Sequence, residues 1–213
     1  MDSSSCLPNV YYQLWEKYFN RIVSNCNMFI YEALRLEKEA KKKRLFDKRL
    51  LFKSLLDVFN VNLDSISIDR LVKDYWNLRI KGTRIKENVE IALKILQRNY
   101  GARLFILCDN DGISGLKKYR IIRSGLSKYF EEILIVGEDY SSFSEAIVHI
   151  ITKEKLKKYQ IIVVNDWLEP LIEAKSIGVR TALITESLKK KSDIIDYTAP
   201  SLFKLVHSVY IID

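Results

Sequence analysis

The stretch IIVVNDWLEPLIEAKSIGVRTALIT, residues 161–185, governs how the rest of the chain reads. It opens with an apolar run that stops at Asn165-Asp166. LEPLIEAKSIG then reads as a helix, and VRTALITES as a second apolar run. Short runs that are almost continuously apolar are strands buried on both faces, as in a parallel sheet. The same alternation begins further upstream. ARLFILCDN is an apolar run, SGLKKYRIIRSGLSKYF a helix and turn, EILIVGED a second run and FSEAIVHIITKEKLKKY a helix. Strands and helices alternating with short connections predict an α/β fold. Its core is a Rossmann-like parallel sheet with helices on both faces and right-handed crossovers.

Residues 9–100 have a different texture. Apolar positions recur there at helical spacing, as at Leu14, Tyr18 and Ile22, and again at Phe29, Ala33 and Leu36. VNLDSISIDRLVKDYWNL reads as a turn and a helix capped by Asp64 or Ser67, with Leu71, Tyr75 and Leu78 on one face. A further helix is expected from about Lys86 to Asn99, with Gly101 near its end. No internal repeat or low-complexity segment interrupts the pattern.

Composition narrows the function classes. Of 213 residues, 48% are apolar, enough for a globular core. No window approaches the roughly 20 apolar residues of a membrane span, and the N-terminal residues lack a signal-peptide pattern, so a cytoplasmic protein with no membrane partner is expected. Cys6, Cys26 and Cys108 are widely spaced and suit neither a zinc site nor a disulfide framework. His149 and His207 stand far apart with no nucleophile motif. The net charge of +8 admits a nucleic-acid partner, but the excess lies largely in EKEAKKKRLFDKR (37–49) and ESLKKKSD (186–193), which read as solvated faces or loops. Nucleic acid is therefore not the expected partner.

In open parallel sheets, ligands sit at the carboxyl ends of the strands. Here those ends are Cys108-Asp109-Asn110-Asp111, Gly137-Glu138-Asp139 and Asn165-Asp166. One acid there is commonplace as a helix cap. Three suggest a cation site, since converging carboxylates are how proteins hold Mg²⁺.

In order and spacing, residues 82–208 resemble the haloacid dehalogenase-like (HAD) hydrolase superfamily. ENVEIALKIL is similar to the family's helix leading into its second strand. RLFILCDNDG resembles that strand, and SGLSKYFEEILIVGE the turn and strand after it. IIVVNDWLEPLIEAKSIGVRTALIT resembles the family's last motif, including Ala174-x-x-x-Gly178, and DYTAPSLFKLVHSV its closing segment. The resemblance implies an α/β core from residues 1–8 and 82–213, with an α-helical cap over 9–81 inserted after the first motif.

MDSSSCL fits the frame of the family's first motif, Asp-x-Asp-Gly-Thr-Leu. Asp2 then matches the nucleophile, Ser4 the second Asp, Ser5 the Gly, Cys6 the Thr and Leu7 the Leu. A solvated chain start is the other reading of these residues. The frame also implies a central strand ahead of Asp2, where only Met1 stands. Three solutions are open: a start further upstream, closure of the neighbouring strands, or the C-terminal HSVYIID filling the slot. The last segment also reads as an edge strand or a tail.

The resemblance implies a divergent Mg²⁺-dependent hydrolase of phosphatase or dehalogenase type, working on a small anionic or phosphorylated substrate through an aspartyl nucleophile. The alternative is a HAD-fold binding or regulatory protein without catalysis. Several positions depart from the family. Ser4 replaces the general acid. Cys108 or Asp109 stands where a Thr or Ser closes the second strand. No Lys occupies the Lys-Pro position near Ser141-Ser142. Lys117, Lys118, Arg120 and Lys153 are substitutes in principle, though each reads as a surface charge. The metal set would be Asp2, Asp166 and Glu169. Asp166 also reads as the N-cap of the following helix, with Pro170 in its first turn, and Trp167 either lines a pocket or is buried.

Overall fold

The computed structural model describes residues 6–61, 65–186 and 193–209. They form two compact units. Met1–Lys86 groups with Asp111–Arg120, and Glu87–Asn110 with Ile121–Asp213.

The first unit is helical. Helix α1 (Leu7–Leu14) has Pro8 in its first turn, where a missing N–H costs nothing, and runs into a π-helical turn at Trp15–Phe19. Helix α2 (Cys26–Lys42) is capped by Asn25, whose side chain accepts from the Met28 N–H at 3.0 Å. Helix α3 (Lys48–Val58) is capped by Asp47, which accepts from the Arg49 N–H at 2.9 Å. Helix α4 spans Ser65–Gly82. Asp64 and the Ser67 side chain, the expected caps, lie outside the described residues. The apolar faces of these helices meet in a core that includes Leu14, Phe29, Phe52, Leu55 and Leu71.

A polar knot sits within that core. The Glu37 carboxylate of α2 accepts from Tyr11 of α1 at 2.7 Å and from Tyr75 of α4 at 2.5 Å, and pairs with Lys48 of α3 at 2.6 Å. Burial pushes the Glu37 carboxyl up, but Lys48 and the two phenols outweigh it and hold it below the usual range. Burial, reinforced by Glu37, raises both tyrosines well above theirs. Residues 37–49 are therefore not uniformly a solvated face. Lys41, Lys42, Lys43 and Arg44 are exposed, but Glu37 and Lys48 are taken inward by each other.

The second unit is α/β. It contains α5 (Val89–Tyr100), β1 (Phe105–Asp109), β2 (Glu132–Val136), α7 (Phe143–Glu154), β3 (Ile162–Asn165), α8 (Leu168–Ile177), β4 (Arg180–Ile184), β5 (Tyr197–Ala199) and α9 (Leu202–Val209). Helix α6 (Leu116–Arg123) follows β1. Helix α5 starts at Val89 rather than Lys86 because Asn88 has a left-handed backbone, φ +61°. It ends at Gly101, also left-handed. All strand pairs are parallel, as expected. Side-chain alternation puts Val163 toward Ile147 of α7 and Ala174 of α8, while Ile162, Ala182 and Ala199 pack on Leu205 of α9. Helices thus cover both faces.

The sheet is in two pieces. β1 pairs with β2, and β3 with β4 and β5. Among the described residues β1 and β3 are not bonded to each other, although Leu107 and Val163 pack on the same apolar cluster. Val164, within a parallel strand, is 38% exposed. The neighbouring strands have not closed up. Nor does HSVYIID form a strand from its start, because His207–Val209 is the last turn of α9; residues 210–213 lie outside the described residues.

Breaking one partner of a buried ion pair costs about 3–5 kcal/mol, because the survivor keeps its desolvation penalty. Lys48→Met is therefore expected to lower the urea-unfolding free energy of the full chain by about that amount. A group with a depressed folded pKa contributes stability that is complete above its unfolded value and is lost as pH falls through the folded one. For Glu37 that loss begins below about pH 4.3. Urea midpoints measured from pH 7 down to pH 3 should fall less steeply for Glu37→Gln than for the native chain.

Candidate functional site

The carboxyl ends of the parallel strands are built by local hydrogen bonding. At the end of β1, Cys108 pairs in register with Ile135, and Asp109 with Val136. Both are half-buried. Asn110 follows, donating its backbone N–H (3.0 Å) and its side-chain amide (3.2 Å) to the Val136 carbonyl. That arrangement needs Gly137, whose φ is +87°. A Cβ there would lie 2.1 Å from the Asn110 amide nitrogen. At the end of β2, the Asp139 carboxylate turns back to accept from the Ile135 N–H at 2.9 Å. Asp139 therefore serves the turn.

Helix α7 opens with Ser142 as N-cap, its hydroxyl accepting from the Glu145 N–H at 3.1 Å. The Glu145 carboxylate accepts from the Ser141 N–H at 2.8 Å and its hydroxyl at 2.6 Å. The position without the family's Lys is thus a helix start that satisfies its own backbone.

At the end of β3, Asn165 makes the turn: its side-chain oxygen accepts from the Trp167 N–H at 2.9 Å. Trp167, half-buried, is the N-cap residue of α8, and Pro170 lies in the first turn. Asp166 is therefore not the cap, which closes one of its two readings. Asp166 and Glu169 are both exposed, and their carboxylates have no hydrogen-bond partner among the described residues. Their hard oxygens suit Mg²⁺. Among the described residues, however, no group of three or more His, Cys, Asp or Glu side chains is placed to hold a metal ion. Asp2 and Ser4 lie outside the described residues.

The proposed substitutes for the missing Lys separate. Lys153 pairs with Glu132 at 2.7 Å on the surface of the second unit. Lys118 is exposed. Arg120 is not a surface charge. It is 4% exposed in the helical unit, donating to Asp111 at 2.7 Å, and Lys117 meets the same carboxylate at 3.0 Å. Burial raises the Asp111 pKa, and the two cations outweigh it and lower it. An Arg whose only nearby acid is nine residues earlier, on a short helix, gives no sequence signal of burial.

Gly137→Ala would force a left-handed backbone onto an L side chain and displace Asn110. It is expected to destabilise the full chain by more than about 1 kcal/mol, read by urea unfolding.

No family model matches the chain, and no curated protein matches it in sequence. Solved structures do. YfnB from Bacillus subtilis, described as a HAD-hydrolase and solved bound to magnesium, is similar at 16% identity over 98% of this chain and 93% of its own, with a TM-score of 0.73. A HAD phosphatase from Thermococcus onnurineus is similar at 19% identity over 96% and 88%, TM-score 0.56. An L-2-haloacid dehalogenase from Xanthobacter autotrophicus, with chloropropionic acid covalently bound, is similar at 11% over 97% and 94%, TM-score 0.64. No described helix is long and apolar enough to cross a membrane. With parallel strands flanked by helices and this run of neighbours, the chain has the fold of the haloacid dehalogenase-like hydrolases.

Proposed function

We propose that the chain is a HAD-type hydrolase acting on a small phosphorylated substrate, with Asp2 as nucleophile and the helices of residues 9–81 as its cap. The observation that carries this reading is the pair Asp166 and Glu169 after β3. Both are exposed at the strand end where such sheets bind ligands, and neither is used for capping. The fold neighbours include a phosphatase and a magnesium-bound hydrolase, which supports the same chemistry.

In this reading the Asp2 carboxylate attacks phosphorus, the ester oxygen leaves, and water then hydrolyses the aspartyl-phosphate. Asp2, Asp166 and Glu169 would hold Mg²⁺, which when bound neutralises phosphoryl charge. Cys108 or Asp109 stands beside the phosphoryl group where a hydroxyl is usual. A thiol can donate weakly to a phosphoryl oxygen. A carboxylate at that place is tolerable only when turned to the cation. Ser4 has no proton to exchange near neutrality, so the leaving group must depart without general-acid help.

That last point sharpens the test. Hydrolysis of p-nitrophenyl phosphate should require Mg²⁺ and should be lost in Asp2→Asn and in Asp166→Asn. Alkyl phosphates, which need a proton on the leaving oxygen, should lag the aryl ester by about 10²–10⁴-fold beyond the lag shown by Ser4→Asp. Equal turnover by the native chain and Asp2→Asn would refute the assignment of the nucleophile.

A second reading, a HAD-fold binding protein without catalysis, is favoured by the use of Ser141, Ser142 and Glu145 as a helix start where the family's Lys would stand. It predicts no turnover of any phosphate ester, with Mg²⁺ present, by the native chain.

A further inference from the structure

Four buried side-chain polar atoms have no hydrogen-bond partner among the described residues: Trp76 Nε1, Arg79 Nε, Arg120 Nε and Arg120 Nη2. All four are donors. They belong to three residues of the helical unit, exposed by only 5%, 8% and 4%. Trp76 and Arg79 are three residues apart on α4 and so share a face. The Arg120 guanidinium lies 5.3 Å from the centre of the Trp76 ring, which links the third residue to that face. The Arg79 guanidinium lies 5.7 Å from the Tyr75 ring.

Each buried donor left without an acceptor costs about 1–3 kcal/mol, and more when the group is charged. The acceptors of this interior are already engaged. Asp111 takes Arg120 Nη1 and Lys117, and Glu37 takes Tyr11, Tyr75 and Lys48. Lys48, Arg79, Lys117 and Arg120 face two carboxylates, Glu37 and Asp111, which leaves two positive charges uncompensated by these acids. Orphan donors and uncompensated cations in one helical unit call for the same thing: a group that accepts only and carries negative charge. Guanidinium forks match the flat spacing of oxyanion oxygens, and an indole N–H adds a neutral donor.

We propose that Trp76, Arg79 and Arg120 form a binding site for a doubly charged oxyanion, a phosphate group or a dicarboxylate, within the helical unit. The site takes its ligand without covalent chemistry and does not depend on the hydrolytic reading. Trp76 supplies directional recognition, Arg79 the uncommitted charge, and Arg120 two N–H groups whose orientation Asp111 fixes.

The test is calorimetric titration of the full chain carrying Asp2→Asn, in EDTA and at constant ionic strength. These conditions disable the proposed catalytic centre as a source of signal. Inorganic phosphate and succinate are titrated separately, and the tighter one names the ligand class. Saturable binding of one equivalent is expected. Arg79→Gln should weaken it at least tenfold, and Arg79→Lys should restore part of the loss. Trp76→Phe removes the N–H with part of the indole and leaves an aromatic ring near Arg120, so it should weaken binding severalfold with the fold intact by circular dichroism. No saturable binding of either anion would overturn the proposal, with buried water then the partner of these donors. Binding unchanged in both Arg79→Gln and Trp76→Phe would overturn it as well, by placing the anion elsewhere.

Discussion

The helical unit depends on one carboxylate. Glu37 reaches its neighbours from α2 and is met by Tyr11 from α1, Lys48 from α3 and Tyr75 from α4. Four helices packed mainly by apolar faces, with a surface Arg49–Asp69 pair between α3 and α4, are thereby fixed in rotation about their axes, because a hydrogen bond has a direction and a methyl contact has almost none. An apolar replacement of matched volume could hold the same helices together, and buried ion pairs are often no more stabilising than that. Here the carboxylate gives register. With Glu37 in place, Tyr11 and Tyr75 sit 5.9 Å apart between ring centres, and the next residue on α4, Trp76, packs edge-on against Tyr75. The positions of Trp76 and Arg79 follow from the same anchor.

The α/β unit works under a different constraint. A parallel strand has to satisfy two edges, and β1 and β3 each satisfy one among the described residues. What keeps them together is side-chain packing: Leu107 and Val163 both contact the cluster of Ile147, Ala174 and Val179. The consequence for function is positional. The carboxyl end of β1 carries Cys108 and Asp109, and Asp166 follows directly after β3. The turns after these strands are stiffened separately, by Asn110 on Val136 and by Asn165 on Trp167. Local bonds thus fix the turns that follow the paired strand ends.

The four longer strands were legible because apolar runs of four or five residues, closed by polar residues or Gly, have few other uses in a chain of this composition. The helices were legible from their spacing. Charge was the poor guide. Glu37, Lys48 and Arg120 look like any surface residues in a lysine-rich stretch, because burial of a charge depends on a partner that helix packing supplies and local sequence does not display. Of the C-terminal HSVYIID, only His207–Val209 lies among the described residues. These three residues close the helix that Ser201 starts, its hydroxyl accepting from the Lys204 N–H at 3.2 Å. Likewise Asp166 and Asn165 are both ordinary turn formers, and only the geometry shows that Asn165 makes the turn.

That last distinction bears most on the chemistry. Strand-end polar residues in this fold can serve the backbone or a ligand, and a side chain committed to one is withdrawn from the other. Asn110, Asp139, Ser142, Glu145 and Asn165 are committed to backbone N–H or C=O groups. Asp166 and Glu169 are not. A chain drifting toward a purely structural role would be expected to spend its strand-end acids on turns, as it has with Asp139. Asp166 and Glu169 are both exposed at the entry to α8, Asp166 ahead of the Trp167 N-cap and Glu169 in the first turn, where the helix dipole favours a carboxylate. Left in solvent, they stay outside the backbone roles that the other strand-end side chains have taken.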